Sequence, residues 1–430
     1  MSDHNRYRRI CYLSSTGELG GAEFSLLDTV CVLRQQHPQW RPVLLVPEDG
    51  PLAARARELD IEVEIIPVSE CLSKLGDSQL VRSNSYGRRL HLAAELIAAI
   101  PETLAYSQRL RCRWKTLRPQ LIYANGFKAH VFAALSRPPT IPLLCHIHDY
   151  VSPRPMMARL FRGYAASSCI VANSHSVAND ALSVLGTKRQ RRCEVIYNSV
   201  DLDHFSPIGR RLDLDELSGL PTPPSGTLRV GLIATMAWWK GHNTFLEAMS
   251  RLQKHAVRGY IIGGSIYRTA ESENSFAGLH AEALRMGITN RVGFTGHIAD
   301  VASAIRSLDI VVHASTRPEP FGRSIIEAMS CARPVITTGL GGAAEIVAAG
   351  RGTVTFWPGE ADDLAGAISK LARDGALRKD LGACARRTAE QHFGRDQLAR
   401  DLDLLWNRMP LADHDALTQP ALKDALVSGI

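Results

Sequence analysis

Short apolar runs alternate with helical patterns along nearly the whole chain, and the alternation occurs twice, on either side of a proline-rich stretch. Strands separated by helices pair in parallel and are covered on both faces, so the pattern predicts an α/β fold. Arg9 to Ser14, Pro42 to Val46, Val63 to Val68, Leu121 to Ala124, Leu143 to Ile147, Cys169 to Ala172 and Val195 to Tyr197 read as the strands of a first unit. Arg229 to Ala234, Tyr260 to Gly263, Val292 to Thr295, Asp309 to His313, Pro334 to Thr337 and Thr353 to Phe356 read as those of a second. The stretch between them carries Pro207, Pro221, Pro223 and Pro224 and reads as a linker. A chain of 430 residues exceeds the usual single-core size. The expected organisation is a domain over 1–205, a linker over 206–227, a second domain over 228–393, and a last helix plus tail over 394–430.

Composition narrows the function classes. Hydrophobic residues make up 45% and charged residues 22%, as in a soluble globular protein. The nine cysteines are scattered, odd in number and without a C-x-x-C, which argues against a disulfide framework or a zinc site. No apolar signal core opens the chain and no run approaches the length of a membrane span, so a cytoplasmic location is expected. The net charge is +7, and 82–118 holds eight basic residues against Glu95 and Glu102. That segment reads either as a patch for anionic lipid at the inner face of a membrane, or for an anionic acceptor, or as the solvated face of a helical pair. Interleaved Leu, Ile and Trp114 favour the solvated face. Nucleic acid is not expected as a partner, since no recognisable module is present and the aromatics do not interleave with the basic residues.

The stretch Ser315 to Met329, S-T-R-P-E-P-F-G-R-S-I-I-E-A-M, joins an apolar run to a helical pattern with Ile325, Ile326 and Met329 inward. Pro318 and Pro320 stiffen the joint, and Gly322 lets the backbone approach whatever lies over the helix start. Free N–H groups and the helix dipole make that end suitable for a phosphate. Glu319 and Glu327 flank it as acceptors for sugar or ribose hydroxyls.

With P-F-G between the two glutamates, E-A-M ending the stretch, and Gly341, Gly342 and Glu345 forming G-G-x-x-E, the stretch resembles the E-x7-E signature of the family-four retaining glycosyltransferases of the GT-B fold. The resemblance runs from about Arg8 to Phe393. It implies two Rossmann-like domains facing across a cleft, donor held mainly by the second and acceptor by the first, with the last helix crossing back onto the first domain. The loop S-S-T-G-E-L-G-G-A-E places Gly20 and Gly21 before a helix, where a backbone can cradle phosphate. It resembles the family's G-G-A-E loop and lacks the G-x-G-x-x-G of a nicotinamide site.

Further site residues are carried over on matching motifs. His148, in C-H-I-H-D after a predicted strand, matches the family histidine that projects toward the donor sugar; His146 reads as packed, and His-x-His as a metal pair lacks a third ligand. Lys240, before Gly241, matches the lysine that contacts the donor diphosphate. The family usually carries an arginine shortly before it, where this chain has Trp238 and Trp239; Arg323 is the nearest replacement cation in sequence. Asp201-Leu202-Asp203, Asp213-Leu214-Asp215 and Asp401-Leu402-Asp403 are each formally D-x-D, but the string recurs at unrelated places and reads as neutral.

The resemblance thus implies a metal-independent, retaining hexosyltransferase-type enzyme with no cofactor beyond its nucleotide-diphosphate-sugar co-substrate. Its acceptor would be a carbohydrate, lipid or small molecule. His148, Lys240 and Glu319 would be catalytic; Gly20, Gly21, Phe321, Gly322, Arg323 and Glu327 would bind the donor. The alternatives are a non-catalytic nucleotide-sugar binding protein, and an epimerase or phosphorylase on the same fold.

Overall fold

The computed structural model describes residues 8–70, 72, 86–186, 193–264 and 276–409, with backbone alone over 86–98. Cys71, Arg82 and the tail beyond 409 lie outside the described residues, as do the side chains of Arg88, Arg89 and Glu95. Two parallel sheets organise the rest. The first has β1 (Arg8–Ser14), β2 (Trp40–Val46), β3 (Glu62–Ile65), β4 (Leu121–Asn125), β5 (Leu143–Ile147), β6 (Cys169–Ala172) and β7 (Cys193–Val195). Their order is β3-β2-β1-β4-β5-β6-β7, with every pair parallel. The second has β8 (Leu228–Ile233), β9 (Val257–Ile262), β10 (Val292–Gly296), β11 (Ile310–His313), β12 (Val335–Thr337) and β13 (Thr353–Thr355), ordered β10-β9-β8-β11-β12-β13. The predicted α/β class and doubly wound sheets are what the chain forms.

In both sheets the winding reverses once, between β1 and β4 and between β8 and β11. Loops leaving the carboxyl ends of the two central strands diverge there, which opens a crevice suited to a ligand. Helices pack on both faces because the strands are apolar over most of their length: Val43, Leu44, Leu45 and Val46 in β2 are all buried, as are Ile310, Val311 and Val312 of β11.

Chain crossings tie the two units together. Val200 bridges Gly394, and its N–H donates to the Phe393 carbonyl (2.8 Å). The helix Arg395–Trp406 then lies on the helix Gly21–Gln36, burying Leu398, Leu402, Leu405 and Trp406 among Leu26, Val30 and Trp40. Trp406 meets Trp40 edge-on at 5.3 Å between ring centroids. Each such buried side chain contributes about 1.5–3 kcal/mol, enough to seat the last helix on the first sheet rather than the second.

Some strand bounds differ from the sequence reading. The strand expected over Val195 to Tyr197 ends at Val195. Ile196 is buried just past the sheet, and Tyr197 turns its hydroxyl to Glu345 (2.9 Å), so their apolar character serves packing beyond the ladder. The strand expected from Tyr260 begins at Val257, because Arg258 is buried by pairing with Asp215 and so is compatible with a central strand. The proline-rich linker is anchored to the second sheet. Asp213 caps the helix Leu214–Leu217, and buried Asp215 accepts from Arg229 (2.9 Å), Arg258 and Tyr260 (2.6 Å) of the second sheet.

Candidate active site

At the reversal of the second sheet, the loop after β8 forms a 3-10 turn over Trp238–Lys240, then Gly241, then the helix His242–Arg251. Gly241 has φ +76°, and a Cβ there would sit 1.9 Å from the Ala314 carbonyl oxygen, so only glycine lets this turn press against the loop after β11. Thr316 fastens the same contact: its N–H and hydroxyl both donate to the Trp239 carbonyl (2.7 and 3.2 Å). Lys240 is thereby delivered to Glu319.

The Lys240 ammonium donates to both Glu319 carboxylate oxygens, at 2.9 and 2.8 Å. Ser315 Oγ (2.8 Å) and His313 Nε2 (3.1 Å) lie on the same Oε2, so the imidazole carries its proton on Nε2. His313 Nδ1 faces Thr337 Oγ1 at 3.3 Å. Burial alone would raise the Glu319 pKa, but the Lys240 charge and the His313 hydrogen bond outweigh it and hold the carboxyl far below its usual range. Glu319 also has a pinned backbone: its N–H donates to Leu340 (3.1 Å) and its carbonyl accepts from Gly342 (2.7 Å). Three residues on, Gly322 takes φ +105° and starts the helix Arg323–Ser330.

The first crevice is built differently. His148 follows β5, and its Nε2 lies 2.7 Å from Asn125 Oδ1 at the end of β4. Asn125 Nδ2 donates to the Ala22 carbonyl (3.3 Å), so its oxygen is the atom facing His148, which fixes Nε2 as the protonated nitrogen. His148 Nδ1 is then an acceptor, buried and without a partner among the described residues. Burial, with His146, His130 and Arg323 nearby, keeps the ring neutral by pulling its pKa well below the usual value. His146 is buried against the Tyr123 hydroxyl, the packed role expected of it. The Gly20–Gly21 loop opens the helix Gly21–Gln36, with the Gly20 N–H held by Glu23 (3.1 Å).

The two crevices meet. Tyr150, two residues after His148, donates its hydroxyl to the Glu319 carbonyl (3.2 Å). Arg323 reaches Asp28 (3.3 Å) and the Ser199 carbonyl (3.2 Å) on the first domain, and its stem passes 3.6 Å from where a Cβ on Gly21 would stand. Glu345 accepts from the N–H groups of His175 (2.9 Å) and Ser176 (2.8 Å), capping a first-domain helix from the second domain.

Two family models match the chain: "Glycosyltransferase Family 4" over residues 20–204 and "Glycosyl transferases group 1" over residues 221–388, between them most of its length. The chain belongs to the family-four glycosyltransferases of the GT-B fold. This glycosyltransferase-family chain is 28% identical over 216 residues to a lipopolysaccharide core biosynthesis mannosyltransferase of Rhizobium leguminosarum, covering 50% of this chain and 59% of that one. It is 25% identical over 313 residues to the sulfoquinovosyl transferase of Arabidopsis thaliana, covering 68% of this chain and 58% of that one. The matches thus span a little over half the length of these curated relatives. The crystal structure of Anabaena HepE in complex with UDP-glucose superposes with a TM-score of 0.73 at 25% identity, covering 94% of this chain and all of that one.

Within this glycosyltransferase fold the sequence-derived site residues separate into groups. Lys240 and Glu319 are in direct contact, and Arg323 lies 3.5 Å from Glu327. Burial and Asp28 push the Glu327 pKa up, with Arg323 opposing. Phe321 is not an open donor surface: its ring is buried between Tyr197 and Phe393, at centroid distances of 5.7 and 6.0 Å, leaving only backbone to face a ligand. Arg323, expected to stand beside Lys240, is instead committed to Asp28 and Ser199. Five of the six D-x-D carboxylates are also occupied. Asp201 pairs with Arg395 (2.7 Å), Asp213 and Asp215 serve the linker helix, Asp401 accepts from Gln397 (2.9 Å) and Asp403 from Gln36 (3.0 Å).

In the basic segment, three of the five basic residues with described side chains are engaged. Arg113 pairs with Glu64, while Arg109 and Arg111 donate to the carbonyls of Pro67 (3.0 Å) and Leu135 (2.9 Å). Among the described residues no helix is long and apolar enough to cross a membrane, and eight cysteines are free. Asn125 lies in the strand-end stretch Tyr123-Ala124-Asn125-Gly126 that the sequence places at the crevice, on the strand paired with the one that leads to His148, whereas sequence reasoning missed His313, Tyr150 and the latch made by Glu345.

Proposed function

We propose that this chain moves a sugar from a nucleotide-diphosphate sugar to an acceptor hydroxyl, with retention of anomeric configuration and without a metal ion. The observation that carries the reading is the Lys240–Glu319 pair at the reversal of the second sheet, facing a first-domain wall whose His148 offers a neutral acceptor nitrogen. Breaking a glycosyl phosphate bond places negative charge on the diphosphate and positive charge on the sugar ring. Lys240 and the N–H groups that follow Gly322 would take the first. Glu319, held ionised, and His148 Nδ1 would accept hydroxyl hydrogen bonds from the sugar, and Glu327 those of the ribose. Commitment of five of the six D-x-D carboxylates to arginines, amides and a helix cap supports metal independence, and the family resemblance supports retention.

The donor is proposed to be a uridine diphosphate sugar first, since the HepE crystal structures are complexes with UDP, glucose and UDP-glucose. The acceptor is a carbohydrate, lipid or small molecule bound by the first domain, and the site of action the cytoplasm or the inner face of its membrane. Thermal shift with UDP-glucose and other nucleotide sugars identifies the donor by mass action. Product anomer by NMR, with and without excess EDTA, then tests transfer. An inverted product or strict metal dependence would contradict the reading.

A further inference from the structure

Charge at the second crevice is balanced by fewer free cations than its sequence advertises. The Lys240 ammonium is bound to both oxygens of Glu319, so at rest the pair is neutral as a unit. Arg323 is turned toward Asp28, Ser199 and Glu327. Neither adds net positive charge where a departing nucleoside diphosphate gains negative charge.

Arg317 is the exception on this rim. It sits in the loop after β11, exposed, with its guanidinium 4.3 Å over the ring of Trp238. No carboxylate or carbonyl among the described residues accepts from it. Its position is nevertheless held. Thr316, its neighbour, is fastened to the Trp239 carbonyl by two hydrogen bonds, and Pro318 after it restricts its backbone. The tryptophan pair thus carries two cations, Arg317 on Trp238 and Lys240 on Trp239 (3.9 Å), on one 3-10 turn. Stacking occupies the face of a guanidinium and leaves the N–H groups in its plane, the geometry that binds phosphate oxygens in pairs.

We propose that Arg317, stacked on Trp238, is the second cation for the donor diphosphate, acting beside Lys240. The assignment rests on the nucleotide-sugar reading above. In it, Arg317 meets the diphosphate while Lys240 is shared between the phosphates and Glu319. No bond is made or broken by Arg317 itself; its role is to neutralise charge on the leaving group as the glycosyl oxygen departs.

The test uses the full chain and calorimetry with UDP and UMP, followed by turnover of UDP-glucose or of the sugar nucleotide that gives the largest thermal shift. Arg317→Ala should weaken UDP by about tenfold or more while leaving UMP close to wild type, and should lower turnover by about 10²-fold. Arg317→Lys should recover part of both, and Trp238→Leu should lie between wild type and Arg317→Ala because the guanidinium loses its platform. Melting temperatures should not move, since Arg317 is exposed and unpaired. If Arg317→Ala binds UDP and turns over like wild type, the proposal is wrong although the nucleotide-sugar reading stands. If UDP and UMP weaken equally, Arg317 does not serve the diphosphate. Wild-type protein that binds no nucleoside diphosphate or nucleotide sugar at all would instead remove the reading beneath it.

Discussion

The two crevices are formed by the same reversal of strand order, yet they solve opposite electrostatic problems. The first, between β1 and β4, is lined by neutral histidines and an asparagine that fixes a tautomer; the second, between β8 and β11, is lined by a lysine, a glutamate and a stacked arginine. Shared topology therefore fixes where ligand is held, not what holds it. On the proposed reading the first wall offers sugar hydroxyls a neutral acceptor, while the second meets the leaving diphosphate with fixed cations and adds carboxylate acceptors for hydroxyls. Tyr150 and Arg323 cross between them, so the two crevices are in direct contact.

The largest break in that comparison comes from Lys240→Ala. Turnover should fall by about 10²–10³. Stability should drop by roughly 3 kcal/mol, because Glu319 is left buried without its main counter-charge. Turnover assays and urea melts check both; a fully active, equally stable variant would mean the pair is incidental.

Acid should separate the crevices next. Burial lowers the pKa of His130 to about 4 and that of His146 to about 3 in the first domain, and that of His242 to about 4 in the second, from 6.5 in the unfolded chain. Below pH 6.5 the unfolded state binds protons that the folded state refuses, so stability is full above that pH and is lost as pH falls toward 4. The slope is about 1.4 kcal/mol per pH unit for each histidine. The first domain, which with His148 holds three of the four histidines so depressed, should lose amide-exchange protection first. Flat stability between pH 7 and 5 would show that these rings are not neutral by burial.

Arg323→Ala distinguishes a bridge from a phosphate cation. As a bridge, with Asp28 still paired to Arg395, its loss should cost about tenfold in turnover, the equivalent of one charged hydrogen bond. A loss of 10²–10³ would return it to the diphosphate. Asn125→Ala should be milder still, weakening nucleotide sugar about fivefold by freeing the His148 tautomer, with nucleoside diphosphate affinity untouched. Equal loss of both ligands would place Asn125 at the nucleotide.

Much of this architecture was legible in the chain. Strand runs marked both sheets because buried parallel strands are apolar on both faces, and the Ser315 to Met329 stretch marked the second crevice because its prolines and glycine act locally. What escaped depends on partners far apart in sequence. Arg258 looked unlike a strand residue until Asp215 neutralised it, and Phe321 looked open until Tyr197 and Phe393 closed on it. Arg323 looked like a neighbour of Lys240 because it follows Gly322, but helix geometry turns it toward Asp28, 295 positions away. Arg317 lay in plain view and was passed over, since nothing in a sequence shows that a guanidinium will stack on Trp238.

The division between a neutral sugar wall and a charged diphosphate wall is tested most directly by calorimetry on His148→Ala. The ligands are UDP and UDP-glucose, or the pair that most stabilises the wild type. The account predicts that nucleoside diphosphate affinity stays near wild type while nucleotide-sugar affinity falls about tenfold, the loss of one hydroxyl hydrogen bond to Nδ1. An equal fall for both ligands, or none for either, would contradict it.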